Sequence, residues 1–351
     1  MAKRNDAASN GHRTDEPNRQ LEPLAPSEGV ELYFDTKSTE LRDKTLQNYR
    51  YRLNKFLNWC EEQEIENLNS LTGRDLHLYR SWRTRDVAVM TLKNELRTLR
   101  AFLEFAASID AVEPGLREQV LIPETSDAEE SKDIHIEVER AERILDYLNR
   151  FKYASREHVL FAIFWHTGIR LGTLRALDLD DFDTGEPCLE VRHRPESETP
   201  LKNGAKAERS IYVGDHYRAV ISDYIDHNRH DVTDDSGREP LITSEQGRPS
   251  EGSVRTWVYR LTQPCFYGEC PHDKEPEECE YRNYDSLSEC PSSLSPHPIR
   301  RGSITAALRE GTPQEVVSDR MNVSADILDK HYDERSEREK MRVRRELWEG
   351  P

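Results

Sequence analysis

His297, Arg300 and Tyr332 are the residues whose types and spacing first suggest a reaction. They bracket the stretch HPIRRGSITAALREGTPQEVVSDRMNVSADILDKHY, which opens with His-x-x-Arg and closes on a tyrosine at the end of a helical pattern. Ile304, Ala307 and Leu308 mark the inward stripe of a first helix, and Gly311-Thr312-Pro313 punctuates its end. Such a spacing can set an imidazole, a guanidinium and a phenol on neighbouring helix ends around one pocket. That trio suits attack by tyrosine on a phosphodiester. A free phenol titrates near about 10, so at neutral pH it needs a cationic surround and a proton acceptor to become a nucleophile. Taken alone, Tyr332 reads better as a buried tyrosine closing a helix.

The elements that must position these groups lie upstream. An apolar stretch from Ser155 to Thr167 predicts a buried helix, and it runs into Thr167-Gly168-Ile169-Arg170. Cys188–Val191 and Ser210–Val213 read as strands flanking a polar hairpin that holds Lys202-Asn203-Gly204-Ala205-Lys206. Further helices are expected over Glu137–Phe151, Asp215–Asn228 and Ser253–Thr262, and a charged one over 336–349. Residues 1–28 are polar and aperiodic and read as a disordered arm. Residues 29–110 predict a small all-helical domain, with Leu46, Tyr49, Leu53, Phe56 and Leu57 inward on one of its helices. Residues 111–136 carry prolines, a glycine and an acidic run and read as a linker; 137–351 form the second domain. Arg80, Arg83, Arg85, Lys93 and Arg97 of the helical domain are candidates for a phosphate-tracking surface, against the ordinary reading of a solvated face.

The 351 residues carry a formal net charge of −17, and arginine far outnumbers lysine. At face value this opposes a nucleic-acid partner. The acidity is spread along the whole chain, as expected of a protein solvated in very salty surroundings, where distant carboxylates are screened and local arginines still act. No apolar run approaches the length of a membrane span, and the first residues hold no signal-peptide core, so a cytoplasmic protein without membrane contact is expected. Four of the six cysteines, Cys265, Cys270, Cys279 and Cys290, fall in a loop over 264–290 just before His297. Their gaps match no standard zinc-finger spacing, and a structural Zn²⁺ is weighed evenly against four free thiols.

TGIR at 167–170, lysines in the hairpin, HPIR at 297–300 and a late tyrosine, in this order, resemble the tyrosine recombinase or phage integrase family. The resemblance covers roughly residues 30 to 345 and is Xer-like. The acidity and the segment RMNVSADILDKHYDERSEREK look like the halophilic archaeal branch of that family. It implies a mainly α fold with a small β-hairpin or sheet: a helical, SAM-like core-binding domain, then a mixed α+β catalytic domain. It makes Tyr332 the nucleophile that forms a 3′-phosphotyrosyl link and frees a 5′-hydroxyl, in DNA integration and recombination. Arg170 and Arg300 would clamp the scissile phosphate, and His297 would bind it and share proton transfer. Lys202 would be the general acid for the leaving oxygen, with Lys206 as runner-up and His331 and Asn322 as further candidates. The resemblance implies double-stranded DNA as partner, a tetramer assembled on it, and no cofactor for the chemistry. Two departures stand out. Thr173 occupies a position where many members carry an acidic residue, and Val323, beside Asn322, replaces an imidazole or indole nine residues before the tyrosine. A catalytically weakened DNA-binding protein of the same fold and a type IB-like DNA-relaxing enzyme are the alternatives. The charge makes one expectation measurable: binding to duplex DNA should persist or strengthen in molar KCl, where a basic DNA binder loses affinity steeply. Titration by fluorescence anisotropy across a KCl series checks it, and a steep loss would contradict the salt-adapted reading.

Overall fold

The computed structural model describes residues 21–124 and 134–332, together with 338, 341–343 and 345. The chain divides into two compact units between Lys132 and Asp133. Both are mainly helical, and the second carries one small antiparallel sheet.

In the first unit, α1 (Pro26–Lys37), α2 (Asp43–Glu62), α3 (Gly73–Thr84) and α4 (Val89–Ser108) enclose an aromatic core. The start of α3 is fixed by a reciprocal cap. The Asp75 carboxylate accepts from the Thr72 amide at 2.9 Å, and the Thr72 hydroxyl accepts from the Asp75 amide at 3.4 Å. The three- and four-residue spacing of Leu53, Phe56 and Cys60 on α2 turns them inward, where Phe56 meets Tyr79 edge-on at 5.5 Å.

Three expectations are corrected in this unit. The first helix begins at Pro26, inside the arm expected over 1–28, because Pro26 is pre-set for a helix start and Val30, Tyr33 and Phe34 have a core to enter. Residues 111–124 are not linker. Ala111, Val112, Leu116 and Val120 are buried in the first core, and the Arg100 guanidinium holds the Val120 carbonyl at 2.9 and 2.6 Å. Ile136, also assigned to the linker, is buried in the second unit's core, and residues 125–133 lie outside the described residues. Finally, Arg83 and Lys93 are buried and so are not part of an exposed cationic face. Glu95 sits on the inner side of α4, where a carboxylate needs a paired cation, and Arg83 supplies it with two bonds of 2.8 Å. Arg85 and Arg97 remain exposed and Arg80 half-buried.

The second unit is built around α6 (Arg156–Thr167), which follows α5 (Val138–Phe151). Ser155 caps α6 by accepting from the His158 amide, and every residue from His158 to Phe164 is buried. Then come α7 (Leu171–Ala176) and the strands β1 (Phe182–Asp183), β2 (Cys188–Val191) and β3 (Arg209–Tyr212), in the order β1-β2-β3. β1 was not expected from the sequence; two residues are too few to show a period. β2 and β3 pair with Leu189 opposite Ile211. The expected hairpin is a long connection over 192–208 with 3-10 turns at Pro195–Ser197 and Gly204–Ala207.

The chain continues through α8 (Gly214–His227), α9 (Glu251–Thr262), the short α10 (Pro264–Tyr267), α11 (Pro296–Arg309), α12 (Gln314–Met321) and α13 (Ala325–His331). α11 lies tightly on α6. A Cβ on Gly302 would stand 2.3 Å from the Ile136 carbonyl oxygen and 3.1 Å from the Trp165 ring, so only glycine permits this approach. Behind α11, a separate apolar cluster joins Ile304, Leu308, Val317, Met321, Val323, Leu328 and Tyr332. The helix expected over 336–349 falls outside the described residues except at 338, 341–343 and 345.

The Arg83–Glu95 pair gives a stability test. Glu95→Ala leaves a buried guanidinium without its carboxylate and should destabilise the first unit by about 3–5 kcal/mol, whereas Arg85→Ala or Arg97→Ala should stay within about 0.5 kcal/mol. Urea unfolding of the three variants decides the matter; equal small effects would mean that Arg83 is not held by Glu95.

Candidate functional site

Gly168 decides where the first cation stands. It ends α6 in the left-handed conformation, φ 59° and ψ 19°, and its amide bonds back to the Phe164 carbonyl. The turn throws Ile169 into the core and sets Arg170 as the cap residue of α7. Arg170 is half-buried, and no hydrogen bond or ion pair engages its guanidinium among the described residues.

Arg300 projects from α11 into the same region and is 3 % exposed. It donates to the carbonyls of Gly168, of Met321 at 2.7 Å and of Asn322 at 3.3 Å. One side chain thus ties the end of α6 to the end of α12. Burial first, and then the charge of Arg170, lower Arg300 to about 9, with Arg209 adding to this and Tyr332 opposing it. Burial also lowers Arg170, again opposed by Tyr332. Both guanidinium groups stay charged at neutral pH, and in Arg300 it is carbonyl dipoles that hold the buried charge.

Tyr332 closes α13, its amide bonded to the Leu328 carbonyl at 2.9 Å, and is 7 % exposed. Its ring belongs to the small apolar cluster, and the Arg301 guanidinium carbon lies 5.9 Å from the ring centre. His297 is exposed at the start of α11. Desolvation of its ring, followed by the charges of Arg301, Arg300, Lys202 and Arg170, lowers its pKa, so the ring is neutral at neutral pH. The structure therefore brings Arg170, Arg300, His297, Lys202 and Tyr332 into one electrostatic neighbourhood.

Lys206 lines an open groove of about 460 Å³ with Asn203, Arg209, Ser318, Asn322 and Val323. The Asn203 amide donates to the Asn322 side-chain oxygen at 3.2 Å, which docks the β2–β3 connection on the turn after α12. Asn322 adopts the left-handed conformation, φ 50°, that ends α12, and Val323 is buried in the apolar cluster. Of the two residues in the departing turn, the amide faces the groove and the aliphatic side chain faces inward. The His331 side chain lies outside the described residues, and Arg80, Arg85 and Arg97 belong to the first unit.

Sequence reasoning missed Arg209 and Arg320. Arg209 donates to the Arg320 carbonyl at 2.8 Å, and Arg320 returns a bond to the Tyr212 carbonyl at 2.8 Å, which staples β3 to α12. Burial and the neighbouring Arg170 lower Arg209 to about 10. The signal was the strand alternation: position 209 shares a face with buried Ile211 and Val213, so an arginine there points inward. None of Arg170, Arg209, Arg300 and Arg320 has a carboxylate within 4 Å among the described residues. Elsewhere in this unit arginines are neutralised: Arg194, Arg238 and Arg248 meet Asp181 and Asp178 at 2.5–2.6 Å. Among the described residues, no three His, Cys, Asp or Glu side chains stand arranged to hold a metal ion.

Residues 31–108 match the family model described as phage integrase, N-terminal SAM-like domain. The chain is 24 % identical over 186 residues to the tyrosine recombinase XerC of Stutzerimonas stutzeri, covering 52 % of this chain and 61 % of that protein. It is 20 % identical over 244 residues to XerC of Oceanobacillus iheyensis, covering 67 % and 76 %. A solved structure of the Tn1549 transposon integrase in complex with a circular intermediate DNA shares the fold, with a TM-score of 0.66 at 15 % identity over 92 % of this chain and 99 % of that one. These matches support the tyrosine recombinase and phage integrase family for this chain.

The turn at Gly168 is the local device on which the cation cluster depends. A Cβ there would meet the Met321 sulfur at 2.8 Å in a left-handed backbone that only glycine adopts cheaply. Gly168→Ala should lower stability by about 1–3 kcal/mol, by strain and by moving the carbonyl that Arg300 binds. Thermal melts of the two proteins measure this, and an unchanged midpoint would show that the turn is not under this constraint.

Proposed function

We propose that this protein is a site-specific DNA recombinase that cleaves and rejoins duplex DNA through Tyr332. The observation that carries the reading is a largely buried tyrosine near Arg170 and Arg300, neither of which has a carboxylate within 4 Å among the described residues, in a chain whose net charge is −17. Concentrating uncompensated cations at one point is unfavourable for the free protein, and a phosphodiester relieves it. The DNA-bound integrase of the same fold supports DNA as the source of that phosphate.

In this mechanism Arg170 and Arg300 receive the two non-bridging oxygens of the scissile phosphate. Their charge counters the extra negative charge that gathers on those oxygens in the pentacoordinate transition state. The Tyr332 oxygen attacks phosphorus and its proton passes to His297, whose neutral imidazole can accept it. The P–O5′ bond breaks, and Lys202 protonates the departing 5′-oxygen, with Lys206 as the alternative donor on the same connection. The product is a 3′-phosphotyrosyl bond and a 5′-hydroxyl. Attack by the 5′-hydroxyl of a partner strand reverses the step and reseals the backbone without ATP. Asn322 faces the groove and offers the phosphate an amide where relatives with an imidazole or indole offer another donor. His331 stands as a further proton-transfer candidate. Exchange between two duplexes calls for a tetramer on DNA, and the acidic, arginine-rich composition supports work at high salt.

A nicked suicide duplex carrying the recombination site tests the reading. The wild type should yield a detergent-stable covalent adduct, Tyr332→Phe should yield none, and Arg170→Ala should slow adduct formation by about 10²–10³-fold. Because the His297 pKa is lowered from 6.5, the cleavage rate should not fall until the pH drops below that value. An adduct formed by Tyr332→Phe would remove Tyr332 as nucleophile. Relaxation of supercoiled plasmid without a specific site would favour the relaxing enzyme.

A further inference from the structure

Three consecutive carbonyls at the end of α12 hold two parts of the site at once. A helix leaves its last carbonyls without partners inside the helix, and they carry the negative end of its dipole. Here the turn takes two of them itself. The Asn322 amide donates to the Asp319 carbonyl at 3.2 Å, and the Val323 amide donates to the Ser318 carbonyl at 3.0 Å. The next three go to guanidinium groups from elsewhere in the fold. The Met321 and Asn322 carbonyls accept from Arg300. The Arg320 carbonyl accepts from Arg209 Nε at 2.8 Å.

Arg209 reaches the other way as well. Its Nη1 donates to the Ala207 carbonyl at 2.8 Å, at the root of the lysine-bearing connection. Residues 202–206 form a tip between two buried residues, Leu201 and Ala207, with Lys202 and Lys206 exposed at its two ends. His193 closes the base of the tip: its Nδ1 accepts from the Leu201 amide at 3.0 Å, and its own amide donates to the Glu208 carboxylate at 2.8 Å. Neither lysine side chain makes a hydrogen bond or ion pair among the described residues. The backbone beneath them therefore sets where they can reach. Two ties fix that backbone to α12, the exposed bond from Asn203 to Asn322 and the part-buried one from Arg209. The second is the stronger, because water competes less for it and its donor is charged.

We propose that Arg209 is a positioning residue for the general acid of cleavage, its planar fork locking the root of the lysine-bearing tip to the same helix end that holds Arg300. The inference rests on the proposed reaction through Tyr332. In the step concerned, the Tyr332 oxygen bonds to phosphorus and the P–O5′ bond breaks, its electron pair going to the departing oxygen. The lysine ammonium gives that oxygen a proton. Such a transfer works only if the ammonium lies at the oxygen as the bond breaks, and a displacement of about 1 Å costs about 10²-fold in rate. Fixing the acid and a phosphate clamp to successive carbonyls of one turn keeps the two in register. Arg209 itself neither touches the phosphate nor exchanges a proton.

Leaving-group chemistry separates this role from the others. Sulfur in place of O5′ departs as a thiolate, and because a thiol ionises at about 8.5 it needs no proton donor. On an ordinary nicked suicide duplex, Arg209→Lys and Arg209→Ala should each slow adduct formation by about 10–100-fold. On the same duplex with 5′-bridging sulfur, both should come within about threefold of the wild type. Lys202→Ala or Lys206→Ala, whichever removes the acid, should be rescued likewise, and Arg170→Ala should stay slow on both substrates. Arg209→Lys keeps the charge and loses the fork, so full activity of that variant on oxygen would overturn the proposal. A defect of equal size on both substrates would also sink it and assign Arg209 to the phosphate, leaving the reaction through Tyr332 standing. A wild type that forms no adduct on either substrate would remove that reaction, and this inference with it. Amide hydrogen exchange read by mass spectrometry needs no activity: residues 201–208 should exchange about tenfold faster in Arg209→Lys, with α6 unchanged. Unchanged exchange at the tip rules the tie out, and loss of protection throughout α6 would mean that Arg209 holds the whole unit and not the tip.

Discussion

Arg300 is the constraint on which the second unit turns. A guanidinium this deeply buried meets no carboxylate among the described residues, and backbone carbonyls hold it. Those carbonyls belong to the ends of two helices, at Gly168 and at Met321–Asn322, and each end must stop where it does for the oxygen to be in place. A left-handed residue therefore terminates each helix, a glycine in one case and an asparagine in the other. The close seat of Gly302 on Ile136 keeps α11, and with it Arg300, at the required depth. Carbonyl dipoles satisfy the donors while leaving the net charge intact. A carboxylate would have satisfied both and left nothing for a ligand.

The same unit holds the opposite arrangement nearby in sequence. Arg194, Arg238 and Arg248 share Asp178 and Asp181, and Arg248 also takes Asp234 at 2.7 Å. That network ties together loops around the sheet and has no charge to spare. Two groups of arginines in one acidic chain are thus held differently. Those paired with aspartate cross-link loops, whereas Arg209, Arg300 and Arg320 have no carboxylate within 4 Å among the described residues and are held by backbone carbonyls.

The departure at the turn after α12 acquires a local meaning. Val323 is drawn into the apolar cluster that also contains Tyr332, so the turn contributes to holding the tyrosine from behind. Asn322 takes the outward position and binds Asn203 of the β2–β3 connection, which joins the lysine-bearing loop to the helix end. The backbone of Asn322 meanwhile accepts from Arg300. A polar residue able to adopt the left-handed conformation fits all three demands.

Much of this was legible in the residues. The helical periods of α2, α4, α5 and α6 follow from spacing alone, because an amphipathic or fully apolar run has one way to bury itself. The order of TGIR, lysine loop, HPIR and tyrosine was likewise readable, since it resides in residue types. Burial of individual charges was not. Arg83 and Lys93 occupy a stretch that reads as solvated, and only the packing of α3 on α4 turned Arg83 toward Glu95. Arg209 and Arg320 carry no motif; they enter the site because β3 and α12, distant in sequence, lie side by side. The two-residue β1 and the membership of residues 111–124 in the first core were hidden for a related reason. The sequence by itself determined which side chains could do chemistry and which helices could carry them. Only the tertiary structure decided which cations lack a carboxylate, because that depends on neighbours far along the chain, and the absence of a partner leaves no local signature.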